Sequence, residues 1–149
     1  MEIKDYKNVY VFAEQRDGEI QSVAYELLGK ARDLADALGE KVVAILAGYG
    51  VKEKAQSLIE MGADEVVVCD SPELKDYLTE QYSQVVYQII MDRKPGIVLY
   101  GATTIGRDLA PRLASRLRTG LTADCTKLEI GDYEDNRTKE VHKNILYQI

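Results

Sequence analysis

The sequence has few of the residues that most often carry chemistry, with one histidine and two cysteines among 149 residues. One histidine, His142, and two isolated cysteines give no zinc site. Any Ser-His-Asp or Cys-His arrangement would have to use His142, and its charged neighbours are typical of a solvated surface group. Cys69 and Cys125 lie far apart without a C-x-x-C motif, which favours reduced thiols in a cytoplasmic protein.

The chain also lacks an excess of basic charge and a long apolar run. Its 19 basic and 25 acidic residues give a net charge of −6 at pH 7, which argues against a nucleic-acid or anionic-membrane surface. No apolar run approaches the roughly 20 residues that span a bilayer. The first residues show no basic segment followed by an apolar one, so we expect neither a signal peptide nor membrane insertion. A chain of this length predicts one domain, residues 1–149.

Short apolar runs alternate with stretches of helical periodicity along most of the chain. Such alternation predicts an α/β fold with a doubly wound, mostly parallel sheet covered by helices on both faces. Glycine or proline follows each predicted helix interior, as expected at helix ends. We predict strands over residues 9–13, 42–46, 65–69 and 97–100, helices over 23–38, 51–59 and about 79–93, and a last helix that carries Leu109, Leu113 and Leu117.

The pattern changes after residue 124. Residues 125–130 alternate between polar and apolar side chains, residues 131–136 form a polar turn, and residues 141–149 are extended again. This pattern predicts a C-terminal antiparallel hairpin at the edge of the sheet. An exposed apolar strand end promotes aggregation, and the sequence ends on one at residues 145–149. We therefore expect that the chain is a fragment of a longer protein, the alternative being that another element covers the strand.

Residues 99–125 carry the candidate functional site. They read as the end of a buried strand, a turn of small and hydroxyl residues, an arginine-rich helix and a second threonine-rich turn. In an open α/β sheet, ligands and partners bind at the carboxyl ends of strands, where helix N-termini point. The candidate cleft residues are Thr103, Thr104, Gly106, Arg107, Asp108 and Thr122.

Two interpretations of the first turn remain open at this point. In the structural one, Thr103 or Thr104 caps the helix, and Asp108 complements the helix dipole. In the functional one, the hydroxyls and free N–H groups hold a phosphate or a partner's carboxylate, with Arg107 as the counter-charge. Pro111 predicts that the helix starts late or kinks.

The arginines of this helix have a similar pair of interpretations. Asp108 and Arg112, four residues apart, are spaced for an ion pair on one helix face. Arg112, Arg116 and Arg118 indicate a solvated or interface face rather than a phosphate clamp, and arginine is enriched at interfaces. In the second turn, Thr122 and Asp124 either close the same cleft or belong to an ordinary turn before a strand.

Established phosphate and catalytic motifs are absent from the sequence. Gly101 and Gly106 have the first spacing of a Walker loop, but Arg107 and Asp108 replace its lysine and hydroxyl residue. No G-x-G-x-x-G follows the first strand, so a dinucleotide-binding fingerprint is not supported. No D-x-D-x-D-G loop for calcium occurs either. The sequence therefore predicts no general acid, base or nucleophile, and no metal site.

The segments 101–114 (GATTIGRDLAPRLA) and 119–125 (TGLTADC) resemble the α subunit of electron transfer flavoprotein. The segments 9–14, 26–35 and 62–64 also match, so the resemblance covers nearly the whole chain in order. It implies a heterodimer with a β subunit of similar fold, FAD as the redox cofactor, and electron transfer from dehydrogenases to a quinone or other acceptor. The YVFAEQ opening and the tyrosine-rich, tryptophan-free composition are similar to members that bifurcate electrons from NADH.

In this family FAD lies mainly in a C-terminal domain of the α subunit, which has no counterpart in these residues. The resemblance implies that residues 1–149 are the N-terminal domain, with an adenine-nucleotide α-hydrolase-like fold. It implies a scaffold that docks the β subunit and binds no FAD alone. A rival hypothesis is a stand-alone nucleotide-binding module similar to universal stress proteins, with Thr103, Thr104 and Arg107 on a phosphate. A hydrolase or ATP pyrophosphatase would need a Ser-Gly-Gly-x-Asp-Ser loop where residues 14–17 read Glu-Gln-Arg-Asp.

Overall fold

A computed structural model describes residues 7–101, 103–117, 121–122 and 145–148. Its main feature is a six-stranded sheet in which every described pair of neighbouring strands is parallel. A separate antiparallel pair follows the first strand. The strands are β1 (Val9–Phe12), β2 (Gln15–Arg16), β3 (Glu19–Ile20), β4 (Val42–Gly48), β5 (Glu65–Asp70), β6 (Ile97–Tyr100), β7 (Leu121–Thr122) and β8 (Ile145–Gln148).

The six-stranded sheet has the order β5-β4-β1-β6-β8-β7. Strands β1, β4 and β6 are buried throughout, and they consist largely of β-branched and aliphatic residues, as central parallel strands require. The outer strand β5 is half-buried along its length. The predicted doubly wound, mostly parallel α/β fold is confirmed.

In the part of the chain that the structure describes, four α-helices cover the two faces of the sheet, namely α1 (Ser22–Leu38), α2 (Ala55–Glu60), α3 (Thr79–Arg93) and α4 (Thr104–Leu117). The apolar sides of α1 and α2 join one core cluster, and those of α3 and α4 join a second cluster on the opposite face. One-turn 3₁₀ helices, Lys52–Lys54 and Pro72–Leu74, precede α2 and α3. None of the helices in the described part of the chain is long and apolar enough to cross a membrane.

The strand β6 and the helix α3 occupy the predicted ranges, and Gly39 ends α1 with a left-handed φ of 68°. The predicted helix over 51–59 is divided into the 3₁₀ turn and the short α2. The apolar spacing of residues 51–59 would place Ile59 on the same face as Leu58, but Ile59 is 38% exposed whereas Leu58 is buried. A 3₁₀ turn has about 3.0 residues per turn, which changes the phase of the residues that follow it.

The predicted C-terminal edge hairpin is wrong in its second strand. The strand β8 lies inside the sheet, parallel to β6 on one side and to β7 on the other. Parallel strands are joined by long connections rather than by a tight turn, so a local hairpin pattern does not reveal this pairing. The proposed first strand of the hairpin, residues 125–130, lies outside the described residues.

The helix α4 begins at Thr104 and continues through Pro111, so of the two effects expected of this proline, a late start or a kink, the late start is wrong. Proline has no N–H group to donate to the carbonyl of Arg107. The turn before Pro111 is held by other bonds, including the 2.8 Å bond from the Arg107 N–H to the Thr103 carbonyl. Capping and packing therefore compensate for the missing bond inside the helix.

Candidate functional site

The chain passes from one half of the sheet to the other at β1, which lies between β4 and β6. Doubly wound sheets bind ligands at such a switch point, in the space outside the carboxyl ends of the strands. Here that space lies between the end of β1 and the end of β6. We call it the switch-point crevice, and Glu14, Gly101 and Thr103 border it.

Thr103 caps the N-terminus of α4. Its Oγ1 accepts a 3.0 Å hydrogen bond from the N–H of Gly106, three residues on, which satisfies one of the unpaired amides of the first turn. The same hydroxyl donates a 2.5 Å hydrogen bond to Glu14 Oε1, 89 residues away in the sequence. Thr103 therefore caps α4, as the structural interpretation predicts, and Glu14 accepts the hydrogen bond that the same hydroxyl donates.

Glu14 is only 7% exposed and projects from the end of β1. Its bond to Thr103 bridges the switch-point crevice from one strand end to the other. A carboxylate is favourable beside a helix N-terminus, where the dipole carries partial positive charge. Glu14 thus places a carboxylate beside the residue that caps this helix end.

Gln15 follows Glu14 in the chain, packs at the end of β4 and is 8% exposed. Its Nε2 donates to the carbonyl of Ala47 at 3.2 Å and to the hydroxyl of Tyr82 at 2.9 Å. Its Oε1 accepts the N–H of Gly18 at 2.9 Å, which fixes the β2–β3 hairpin. Asp17 and Gly18 both have positive φ, 52° and 83°, as a type I′ hairpin turn requires.

Asp108 ties the N-terminal half of α4 to the start of α3. Its Oδ2 accepts hydrogen bonds from the hydroxyls of Tyr77 at 2.7 Å and Thr79 at 2.8 Å. Its Oδ1 accepts a 3.3 Å bond from Arg112 Nε, so the predicted ion pair on the helix face is formed. The bond from Tyr77, followed by that from Thr79, holds the pKa of Asp108 below its ordinary value.

A further carboxylate, at the carboxyl edge of the sheet, is held by backbone amides instead of side-chain hydroxyls. Asp70, at the end of β5, accepts bonds from the N–H groups of Gly50 at 2.8 Å, Val51 at 2.9 Å and Lys52 at 3.1 Å. These bonds, that from Gly50 first, lower the pKa of Asp70. The loop after β4 is thereby closed by a side chain of the protein itself.

The remaining predicted site residues are dispersed. Thr104 and Arg107 are exposed on the first turn of α4, while Gly106 is buried against the end of β6. Thr122 ends β7, which is separated from β6 by β8, a distance of about 10 Å at ordinary strand spacing. The structure brings Thr103, Gly106 and Asp108 together at one helix end. Arg118, Asp124, Cys125 and His142 lie outside the described residues.

Sequence reasoning missed three residues that complete this region. Glu14 had a usable signal, since an acidic residue directly follows a buried strand. Tyr77 and Thr79 had none, because they lie 31 and 29 residues from Asp108 in the sequence. Only the packing of α3 against α4 brings them to that carboxylate.

The described residues offer little for acid–base or metal chemistry. No group of three or more histidine, cysteine or acidic side chains that could hold a metal ion occurs among them. The hydroxyls and carboxylates of the crevice are bonded to one another or to backbone amides, as given above. The arrangement stabilises the ends of strands and helices, and it gives this edge of the sheet a polar rim.

The open parallel sheet, helices on both faces and a polar switch-point crevice define a doubly wound α/β domain. A family model described as "Electron transfer flavoprotein domain" matches residues 9–146. The chain belongs to the electron transfer flavoprotein family.

Comparison with curated proteins shows which members of the family the chain is similar to. The chain is 52% identical over 130 residues to "Electron transfer flavoprotein subunit alpha" of Thermoanaerobacterium thermosaccharolyticum, covering 87% of this chain and 39% of that protein. It is 55% identical over 130 residues to "Protein FixB" of Clostridium saccharobutylicum, with the same coverage. It is 47% identical over 130 residues to "Lactate dehydrogenase (NAD(+),ferredoxin) subunit LctC" of Acetobacterium woodii, covering 87% of this chain and 31% of that protein. The chain thus spans about two fifths of the length of the α-subunit relative.

Proposed function

We propose that residues 1–149 form the N-terminal scaffold domain of an electron transfer flavoprotein α subunit. In this proposal the domain docks a β subunit of similar fold and helps to orient a flavin that other domains bind. The flavin supplies the redox chemistry, and the protein supplies position and electrostatics. The complete heterodimer passes electrons from dehydrogenases to an acceptor. The family match and the α-subunit relatives support this role.

The single observation that carries the scaffold role is the hydrogen bond from Thr103 to Glu14 across the switch-point crevice. A nucleotide-binding domain of this class leaves that helix N-terminus available for phosphate. Here a carboxylate 7% exposed already faces it, and a phosphate brought to the same place would meet a like charge. The polar groups of the crevice are therefore bonded within the protein, which favours a scaffold domain over a nucleotide-binding domain.

The described residues do not fit the diphosphate of FAD. In the described residues, the turn after β1 carries Glu14 and Gln15 rather than a glycine-rich loop. Glu14 and Asp70 instead present carboxylates at the carboxyl edge of the sheet. This supports the view that FAD is bound in the complete heterodimer and not by these residues alone.

Two relatives support a dehydrogenase as the electron donor or acceptor. One is named a subunit of an NAD- and ferredoxin-dependent lactate dehydrogenase. Another, from Anaerotignum propionicum, is named "Acryloyl-CoA reductase electron transfer subunit beta" and is 50% identical over 129 residues. We extend the proposal to bifurcation of electrons from NADH on the same basis.

The test uses the purified 149-residue chain and the electron transfer flavoprotein β subunit from the same genome. We expect a stable complex by size-exclusion chromatography with light scattering. We expect no flavin absorbance retained by the chain alone, and no rise in its melting temperature with ATP, since only ligands of the native state stabilise it. Flavin bound by the chain alone would refute the scaffold role. Stabilisation by ATP without binding of the β subunit would favour the nucleotide-binding module.

A further inference from the structure

The β2–β3 hairpin, residues 15–20, follows β1 directly and lies outside the six-stranded sheet. We call it the hairpin strap. Each of its strands has two residues, and a two-stranded hairpin is at best marginally stable in water by itself. Gln15 is buried, whereas Arg16, Asp17 and Glu19 are exposed. The strap therefore depends on its contacts with the rest of the domain.

Several hydrogen bonds of the strap are internal. Its two strands pair antiparallel, and Gln15 Oε1 accepts the N–H of Gly18 at 2.9 Å. At the base of the strap, the N–H of Gln21 donates to the carbonyl of Glu14 at 2.9 Å. These bonds shape the hairpin and its base, but they do not hold the strap to β4.

Within the residues that the structure describes, the strap has polar bonds to the rest of the domain at two points. Gln15 Nε2 donates to the carbonyl of Ala47 at 3.2 Å and to the hydroxyl of Tyr82 at 2.9 Å, and both bonds are buried. Glu19 pairs with Lys54 at 3.3 Å, but its side chain is 74% exposed. Exposed ion pairs of this kind contribute little to stability. The amide group of Gln15 therefore provides the main polar attachment.

The strap covers the carboxyl end of β4 beside that of β1. A Cβ atom on Gly48 would lie 2.8 Å from Gln15 Nε2, so Gln15 packs directly on this strand end. Ile20 adds a half-buried apolar contact with the core cluster on the α1 side. Ligands and partners of doubly wound sheets bind at the carboxyl edge. Displacing the strap would uncover the carbonyl of Ala47 and the hydroxyl of Tyr82 at that edge.

We propose that the hairpin strap opens separately from the sheet, and that Gln15 is the latch that keeps it closed over the carboxyl end of β4. Segments with few buried apolar contacts and solvent-exposed hydrogen bonds open locally, at a lower free energy than the core. The strap is such a segment, whereas β1 and β4 beneath it are buried throughout. Access to this part of the carboxyl edge is thus controlled by one side chain.

Native-state hydrogen exchange of the 149-residue chain, followed by NMR in low concentrations of urea, tests the separate opening. We expect the Gly18 amide to exchange at least about tenfold faster than those of Val11 and Ala44, after correction for intrinsic rates. Its rate should depend weakly on urea, because opening the strap exposes little surface, while the rates of the two core amides should rise steeply. A common rate with the same urea dependence would show that the strap does not open separately, and the proposal would fail.

Gln15→Glu tests the latch. This variant keeps an oxygen for the N–H of Gly18, but it replaces the amide donor by a carboxylate that faces the carbonyl of Ala47. We expect the Gly18 amide to exchange at least about tenfold faster than in the original chain. Lys54→Met is the control, since it removes the exposed ion pair and keeps Gln15, and we expect a change of no more than about threefold. An unchanged rate in Gln15→Glu would show that Gln15 is not the latch.

Circular dichroism establishes that each variant is folded. If Gln15→Glu prevents folding, Gln15→Met supplies a side chain of similar length without a donor. An unchanged rate of the Gly18 amide in that variant would overturn the role of Gln15 equally. All these measurements use the chain alone, so their outcome is independent of whether it binds a β subunit.

Discussion

A Cβ atom built on Gly106 would lie 1.9 Å from the carbonyl oxygen of Gly101. The first turn of α4 therefore packs directly on the backbone at the end of β6. We expect Gly106→Ala to lower the free energy of unfolding by about 3 kcal/mol or more, because backbone must move to admit the methyl group. Urea unfolding followed by circular dichroism measures this difference.

Gly29→Ala is the matched control for that substitution. Gly29 lies in the interior of α1, and a Cβ there meets nothing within 4 Å. Alanine is a better helix former than glycine, so we expect a gain of roughly 0.5–1 kcal/mol in unfolding free energy. If the two alanine variants had equal stability, the close approach of Gly106 to Gly101 would not constrain the fold.

Two buried tyrosines should respond oppositely to removal of their hydroxyls. Tyr82 is 3% exposed, and its hydroxyl accepts from Gln15 Nε2 and donates to the carbonyl of Leu74. Tyr100 is fully buried, and its hydroxyl has no hydrogen-bond partner among the described residues. We expect Tyr82→Phe to cost about 1–2 kcal/mol, and Tyr100→Phe to be neutral or stabilising by up to about 1 kcal/mol.

Tyr100 should also make the stability of the domain decrease at high pH. Burial raises the pKa of Tyr100 above its ordinary value. Its neutral form is thus favoured in the native state, and the stability that it contributes is lost as the pH rises above about 10, where the unfolded chain ionises. Tyr100→Phe should lose less stability above that pH than the original chain. A parallel decline in both proteins during urea unfolding at pH 9–11 would contradict this account.

Local patterns predicted the elements whose boundaries depend on near neighbours. The periodicity of α3 and the proline after it define Thr79–Arg93, and the hydroxyl before α4 predicts the cap at Thr103. The position of β8 in the sheet could not be predicted from local patterns. Its sequence neighbours suggested a hairpin, whereas its place between β6 and β7 depends on pairing with a strand 48 residues earlier, Ile97 with Ile145.

The contacts of the candidate site also fall into two groups, those between near neighbours in the sequence and those that depend on the order of strands in the sheet. The pairing of Asp108 with Arg112 follows from a spacing of four residues, which an α-helix converts into adjacency. The bond of Thr103 to Glu14 joins residues 89 positions apart. Periodicity specifies which side chains share a helix face, but it does not specify which strand end lies opposite. The contact between Thr103 and Glu14 therefore depends on the order of strands in the sheet, which places β6 beside β1.

Removing the hydroxyl of Thr103 should affect both of its bonds. In Thr103→Val the Gly106 N–H loses its cap, which costs about 1 kcal/mol, and the buried Glu14 loses its donor, which adds a further cost of about 1–3 kcal/mol. Thr103→Ser keeps the hydroxyl and serves as the control. We expect the valine variant to be less stable than the serine variant by roughly 2 kcal/mol in urea unfolding. Equal stabilities would mean that the bridge across the crevice contributes nothing to the fold.

Because of Asp108, the free energy of unfolding of the domain should decrease at acidic pH. The hydroxyl of Tyr77 and then that of Thr79 lower the pKa of this carboxyl in the folded state. A lowered folded-state pKa gives stability that is present above the unfolded pKa and is lost as the pH falls through the folded pKa. In Asp108→Asn this contribution is absent, so we expect the variant to be less stable by about 1 kcal/mol at pH 7, a figure that allows for the partial exposure of the side chain. The difference should shrink as the pH falls below about 4.

Asp64 and Asp70, whose pKa values are also lowered, are common to both proteins and cancel in the comparison. Urea unfolding of the two proteins between pH 7 and pH 2.5 measures the difference, and a gap that stayed constant over this range would show that the charge of Asp108 does not hold α4 to α3.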